Sequence, residues 1–128
     1  MVYVKDFAVA ALDPLVMGLG PAYAIPKVLQ KNGLTYDDID LYEINEAFAG
    51  QVLGCMKQME WYLDSPIYRR LNVNGGAIAL GHPLGASGAR IIGTLAMEMN
   101  LRGVRYGIAS ACIGGGMGIA LLLENPSV

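Results

Sequence analysis

The sequence predicts one α/β domain spanning residues 1–128, with the element order βαβαβαββ and a mixed five-stranded sheet flanked by helices. Short apolar runs rich in β-branched residues alternate with amphipathic segments of helical period, a pattern typical of crossover units. Only a glycine-rich turn separates the last two runs, so they predict an antiparallel hairpin. The preceding strands need longer crossovers, and the sheet is therefore expected to be mixed.

The first half of the chain supplies two strands and two helices. An apolar segment at 2–12 predicts a strand that ends at Asp-Pro. A helix is expected from Gly-Pro at 20–21 to Asn-Gly at 32–33, because apolar residues recur at three- and four-residue spacing. A short strand follows at 41–44, and Asn45 precedes a helical run over 47–59. This half therefore predicts a complete βαβα unit.

The second half is expected to complete the sheet with three further strands. The first is a short extended piece at 72–74, followed by a glycine-rich segment that leads into a helix over about 88–99. Ser87 is expected to cap that helix. The last two strands are predicted at 106–111 and 119–124, on either side of consecutive glycines.

The composition predicts a folded chain that binds another polypeptide. Apolar residues make up 54% of the sequence and charged residues only 16%, which leaves few charges to cover a small domain's surface. We therefore expect a homo- or hetero-oligomer. The net charge is −2 and no basic run occurs, so nucleic acid is not an expected partner.

The content of metal-binding and membrane-type residues narrows the function further. Two cysteines, Cys55 and Cys112, and the single His82 cannot complete a tetrahedral zinc site. The uncharged stretch at 106–123 is broken by glycines, so no membrane span is expected. Charges near the N-terminus and the scarcity of cysteines predict a cytoplasmic protein, or an organellar one in a eukaryote.

Three positions are candidates for chemistry, and each has a structural alternative. His82 lies between Gly81 and Pro83, which predicts a fixed backbone open to a ligand, although a lone histidine is more often structural. Cys112 is followed by Ile113 and three consecutive glycines, whose backbone amides could bind an oxyanion. The structural alternative is that Cys112 is a small buried residue. Asn45 either caps a helix or faces the ligand crevice at a strand's carboxyl end. Cys55 carries only the structural interpretation.

Together these positions fall in three blocks that resemble the C-terminal signature blocks of thiolases, in the family's order. The blocks are Asn-Glu-Ala-Phe at 45–48, the glycine-rich segment at 75–90 and Cys-Ile-Gly-Gly-Gly-Met-Gly at 112–118. The segment Met-Gly-Leu-Gly-Pro at 17–21 is similar to a further family loop. The chain thus resembles a thiolase C-terminal half, and the resemblance implies the predicted βαβαβαββ fold.

The resemblance implies acyl transfer between coenzyme A thioesters, by thiolytic cleavage of a 3-oxoacyl-CoA or by the reverse Claisen condensation. His82 matches the histidine that activates the nucleophilic cysteine and, with a water held by the match of Asn45, forms an oxyanion site. Cys112 matches the acid/base cysteine, and Gly114 matches a backbone donor of a second oxyanion site. Met17 matches a residue beside the acyl group. Acyl-CoA and CoA are implied as substrates, with no metal or redox cofactor.

The family's acyl-accepting cysteine belongs to an N-terminal half for which no segment here is a match. The resemblance therefore implies an N-terminal half or partner chain that supplies this residue. Three alternatives remain open: a subunit of a split enzyme, a fragment of a longer chain, and a non-catalytic interaction module with the thiolase fold. The first two are favoured because folding alone does not require His82, Cys112 and Asn45 together.

Overall fold

The computed structural model describes residues 1–128, which form a single sheet with helices on both faces. Short 3-10 segments lie at Pro14–Leu19, Tyr36–Asp38 and Tyr68–Arg70. In chain order the strands and α-helices are β1 (Tyr3–Ala11), α1 (Gly20–Lys31), β2 (Leu41–Ile44), α2 (Ala49–Gln58), α3 (Ala77–Leu80), α4 (Ser87–Arg102), β3 (Tyr106–Ile113) and β4 (Met117–Glu124).

The sheet has four strands in the order β1-β4-β3-β2. Strands β3 and β4 form the predicted antiparallel hairpin, and β1 adds to β4 in the antiparallel sense. Only β2 and β3 are parallel, with Ile44 opposite Ser110 at the carboxyl end of β2. The predicted α/β class and the mixed sheet are confirmed. The prediction of five strands is wrong, because the sheet has four.

The missing fifth strand is the segment predicted at 72–74. Asn72 adopts a left-handed backbone with φ of 46°, which interrupts an extended chain. Its side chain replaces the ladder: Nδ2 donates to the Ile44 carbonyl (3.0 Å) and Oδ1 accepts from the Ile44 amide (2.9 Å). Only isolated bridges form on either side, between Tyr42 and Leu71 and between Val73 and Gly75. The Asn72 side chain thus makes the hydrogen bonds to the Ile44 amide and carbonyl that a fifth strand would otherwise make at the free edge of β2.

The two faces of the sheet bury separate apolar clusters. The larger cluster lies under α1 and α2, because alternate residues of β2 such as Tyr42 and Ile44 point to that side. The smaller cluster lies under α4 and contains Leu41, the strand neighbour of opposite orientation. Its other members are Ile91, Leu95, Met99, Ala109 and Leu123. Position 45 continues the alternation toward the α4 face.

Two predicted helix caps have other roles. Helix α2 begins at Ala49 after Phe48, so Asn45 does not cap it. Helix α4 begins at Ser87 itself and its first flanking residue is Ala86, so the prediction that Ser87 caps α4 is wrong. Both polar side chains are therefore free to contact other groups.

None of the helices combines the length and apolar character that a membrane crossing demands.

Candidate active site

The candidate site lies at the sheet edge where β2 and β3 both reach their carboxyl ends. The backbone amide of Asn45 donates to the backbone carbonyl of Ser110 (2.9 Å), which extends the parallel pairing by one residue beyond β2. Cys112 lies two residues further along β3. Because parallel strands end at the same edge, Asn45 and Cys112 border the position where open α/β sheets bind ligands.

His82 reaches this edge and contacts one polar side chain with each ring nitrogen. Its Nε2 lies 3.4 Å from Asn45 Nδ2, and its Nδ1 lies 2.5 Å from Ser87 Oγ. In this orientation the amide nitrogen of Asn45 can only donate, and a neutral ring that accepts at Nε2 carries its proton on Nδ1. The arrangement leaves basic electron density on Nε2, at the Asn45 side of the ring.

The Glu46 carboxylate holds the segment that leads to His82 through two hydrogen bonds. Glu46 Oε2 accepts from the Ile78 amide (3.0 Å) at the start of the short helix α3, and Oε1 accepts from Asn72 Nδ2 (3.3 Å). A Cβ on Gly76 would approach the Glu46 carboxyl carbon to 2.4 Å, so a side chain at this position would displace the Glu46 carboxylate. After α3 the chain turns at Gly81, whose φ of 102° suits glycine, and presents His82 on the surface.

Cys112 is half-buried near the end of β3, and burial raises the pKa of its thiol. The thiol form therefore predominates at neutral pH. The turn that follows uses left-handed φ values of 87° at Gly115 and 86° at Gly116. Gly114, predicted as a backbone donor, is exposed in this turn without neighbours over its Cα. Cys112 and Gly114 are thus both accessible from the edge.

Met17 lies on the 3-10 segment Pro14–Leu19 and is half-buried. That segment starts beside the glycine turn, where the Leu12 amide donates to the Gly116 carbonyl (2.9 Å). It is tied to α2 as well, because Cys55 Sγ donates to the Gly18 carbonyl (3.3 Å). Cys55 is fully buried and burial raises its pKa, in keeping with the structural interpretation. Met17 therefore lies on a segment that is joined to the glycine turn and to α2, and it makes no hydrogen bond to His82 or Asn45.

A buried ionic pair beneath the site was not foreseen from the sequence. Glu43 is 2% exposed on β2, and its Oε2 lies 3.7 Å from Arg90 Nη1 on α4. Burial raises the pKa of Glu43 to about 7, although Arg90 opposes the shift. Neither Glu43 Oε2 nor Arg90 Nη1 has a hydrogen bond, and the same holds for the buried Asn45 Oδ1. No local pattern could reveal this pair, since its members are far apart in sequence.

These groups define the class of protein: an α/β domain whose sheet edge carries an imidazole, a carboxamide and a thiol. An imidazole and a thiol can move protons, and amide donors can stabilise an oxyanion. No three His, Cys, Asp or Glu side chains lie close enough together to ligate a metal ion.

Comparison with known proteins identifies the family. The sequence matches the family described as "Thiolase, C-terminal domain" over residues 1–125, so the chain belongs to the thiolase C-terminal domain family. The resemblance drawn from the three motif blocks is therefore confirmed.

Curated relatives carry two enzyme names. The chain is 52% identical to "Acetyl-CoA acetyltransferase" of Chromobacterium violaceum over 96% of its length, and 55% identical to "3-ketoacyl CoA thiolase 1, peroxisomal" of Petunia hybrida over 94%. It covers 30% and 26% of those two proteins, respectively. The chain thus spans less than a third of the length of these relatives.

Solved thiolase structures share the fold. Human mitochondrial 3-ketoacyl-CoA thiolase matches with a TM-score of 0.90 at 46% identity, covering 98% of this chain and 30% of that protein. The acetyl-CoA acetyltransferase of Bacillus anthracis matches with a TM-score of 0.90 at 45% identity, over 97% of this chain and 30% of that one. One human structure, with the same TM-score, contains CoA. The α/β fold of this chain is therefore the fold of the matching part of these thiolases.

Proposed function

We propose that the chain is the C-terminal catalytic half of a thiolase, which transfers acyl groups between CoA thioesters once an N-terminal half supplies the nucleophilic cysteine. The observation that supports this most directly is the pair of contacts that Asn45 and Ser87 make with the two ring nitrogens of His82. The names of the relatives support CoA thioesters as substrates. Fatty acid metabolism is the corresponding biological setting.

His82 is proposed to act first as the base for the incoming nucleophile. With its proton on Nδ1, the ring can accept the proton of the partner cysteine at Nε2. The resulting thiolate attacks the acyl thioester and expels CoA as a thiolate, which takes a proton from solvent. The Asn45 amide, through a bound water, and the imidazole then stabilise the enolate oxygen that forms in the carbon–carbon bond step. Donors aimed at developing charge typically contribute about a hundred- to a thousandfold in rate.

Cys112 is proposed to carry the α-proton. In condensation its thiolate removes a proton from the second acyl-CoA, and the carbanion attacks the acyl-enzyme and releases the partner cysteine as a thiolate. In thiolysis the Cys112 thiol returns that proton to the departing carbanion. Its raised pKa favours the thiol form needed for the return step. Gly114 is proposed as a backbone donor to the thioester oxygen, and Met17 as a border of the acyl group.

An uncovered part of the sheet supports the proposed partner half. Phe7 and Val9 of β1 face the side that bears α4, but α4 packs mainly over β2 and β3. Phe7 is consequently 57% exposed and Val9 48% exposed. An apolar sheet face open to water is a place where a second polypeptide packs. We propose that the missing half, within one chain or in a hetero-oligomer, covers this face.

The proposed function is tested by comparing the isolated chain with the chain reconstituted with a thiolase N-terminal half. The isolated chain is expected to form no acyl-enzyme with acetyl-CoA, because the acyl acceptor is absent, whereas the reconstituted enzyme turns over acetoacetyl-CoA. In that enzyme Cys112→Ala retains acylation and loses α-proton exchange, measured by mass spectrometry and deuterium exchange. His82→Ala impairs both steps.

Two results would contradict the proposal. Acylation of Cys112 in the isolated chain would give this residue the nucleophile's role. A well-folded complex with the N-terminal half that lacks turnover would instead favour the non-catalytic interaction module. Asn45→Ala serves as the graded control, with a loss at or below about a thousandfold, because its contribution passes through a replaceable water.

A further inference from the structure

We infer that Glu43 and Arg90 are positioning residues, whose buried ionic pair fixes the distance between β2 and the first turn of α4 and thereby sets the proton position on His82. The inference concerns the geometry of the proposed active site, and it is tested without turnover. Neither residue contacts His82. Their effect would pass through Asn45 and Ser87, which do.

The pair joins two elements close to the residues that hold the imidazole. Glu43 lies on β2 and Asn45 directly follows that strand, two residues later, so both side chains leave the same face of the extended chain. Arg90 follows Ser87 by three residues on α4, so the two lie about one turn apart on neighbouring positions of the helix surface. The separation between Glu43 and Arg90 therefore sets the separation between Asn45 and Ser87.

The imidazole depends on that separation because its two ring nitrogens make their hydrogen-bond contacts with Asn45 and Ser87. The side chain of His82 is otherwise exposed, on a segment with φ values of 102° at Gly81 and 79° at Gly85. The two polar contacts also differ in length, at 2.5 Å to Ser87 and 3.4 Å to Asn45. A small increase in the distance between β2 and α4 would therefore break the Asn45 contact first.

The energetics of the pair also point to positioning. Isolated charges are costly to bury, and a pair that lacks hydrogen bonds recovers only part of that cost. Glu43 Oε2 and Arg90 Nη1 are buried without hydrogen bonds at 3.7 Å, so the pair is a poor source of stability. The electrostatic attraction between them nevertheless acts directly across the gap between strand and helix.

The experiment uses the fact that His82 is the only histidine of the chain. In ¹⁵N NMR at about pH 8.5, where an ordinary imidazole is neutral, the two ring nitrogens report which one carries the proton. The native chain is expected to show a large separation between a protonated Nδ1 and an unprotonated Nε2. Glu43→Gln and Arg90→Lys are expected to reduce that separation, as the ring begins to exchange between tautomers.

The double substitution Glu43→Gln with Arg90→Met is the decisive variant. It removes both charges together, so no uncompensated charge remains in the core and the fold is retained. The expected result is loss of most of the native separation between the two nitrogen signals. Arg102→Gln is the matched control, because it removes an exposed charge and breaks the ion pair with Glu98 in the last turn of the same helix, and it should leave the signals unchanged.

A folded double variant with the native pair of nitrogen signals would overturn the inference. Equal loss in the double variant and in Arg102→Gln would also overturn it, since any charge change on α4 would then suffice. Failure of the proposed function has a different signature: the His82 signals respond as expected while the reconstituted enzyme lacks turnover.

Discussion

The two ends of the sheet each bury a glutamate, and they treat its charge in opposite ways. Glu124 ends β4 and is 4% exposed, at the end of the sheet opposite Cys112. Its carboxylate accepts hydrogen bonds from two tyrosines and two basic residues, Tyr3, Lys5, Arg105 and Tyr106. These partners lower the pKa of Glu124 to about 2. Here a buried carboxylate is fully compensated.

Glu43 lies next to the candidate site and lacks that compensation. It is 2% exposed, its Oε2 has no hydrogen bond, and its pKa is raised to about 7 by burial. The comparison shows that burial alone does not determine the charge state of a carboxyl group, because hydrogen-bond donors decide whether the ion is stabilised. The end of the sheet that contains Glu124 pairs its buried carboxylate with several donors. The end that contains the candidate site leaves buried polar atoms of Glu43 and Asn45 without hydrogen bonds.

Removing the charge at the compensated end is expected to have the largest effect on stability. Glu124→Gln should lower the thermal midpoint at neutral pH by about 5 °C or more, since charge-assisted hydrogen bonds from two strands and their basic neighbours are weakened. Because the folded pKa lies below the ordinary value, the native advantage exists above about pH 4.5 and disappears as pH falls toward 2. Thermal unfolding followed by circular dichroism across this range measures it.

The exposed Asp64 provides the control for the Glu124 experiment. Asp64→Asn removes the same charge from the surface and should change the midpoint little. If Glu124→Gln and Asp64→Asn had equal effects, general charge rather than the Glu124 contacts would account for the stability of that end.

Glu43→Gln is expected to have a smaller effect and the opposite pH dependence. A carboxyl group with a raised folded pKa keeps its proton longer in the native chain than in the unfolded one. Stability from this group therefore falls as pH rises from about 4.5 to about 7. Two acidic neighbours, Glu46 and Glu98, add to the rise in pKa, and Arg90 opposes it. Glu43→Gln should remove this decline, measured by the thermal midpoint at several pH values.

An unchanged pH profile in Glu43→Gln would mean that Glu43 is ionised throughout and that its environment compensates the charge. The contrast between the two ends of the sheet would then disappear. Glu98→Gln is a useful comparison, because hydrogen bonds from Asn74 and Arg102 lower the pKa of Glu98 instead of raising it.

Sequence patterns predicted regular elements and family motifs well, because both depend on neighbouring residues. All four observed strands coincide with predicted segments, and the three motif blocks brought Asn45, His82 and Cys112 into one hypothesis before any contact was known. The resemblance to thiolases succeeded for the same reason, since its evidence is order and identity along the chain.

The errors arose where long-range contacts override local preference. The sequence pattern predicts a strand at Asn72. Its side chain instead forms hydrogen bonds with the backbone amide and carbonyl of Ile44, and the chain turns at Asn72. Ser87 has the residue type of a helix cap, yet its hydroxyl contacts His82. The Glu43–Arg90 pair joins a strand to a helix beyond the reach of any local pattern. Such side chains are assigned only when the fold is known.

Cys112 offers the mildest test of the difference between the two ends, because its modification need not alter the fold. Burial raises its pKa, so little thiolate is present at neutral pH and iodoacetamide should react more slowly than with a free cysteine peptide. Mass spectrometry should find at most one label on the folded chain, since Cys55 is fully buried. Cys112→Ser should abolish labelling until the chain is unfolded. Rapid labelling at neutral pH would show instead that this end of the sheet already stabilises a thiolate without the proposed partner half.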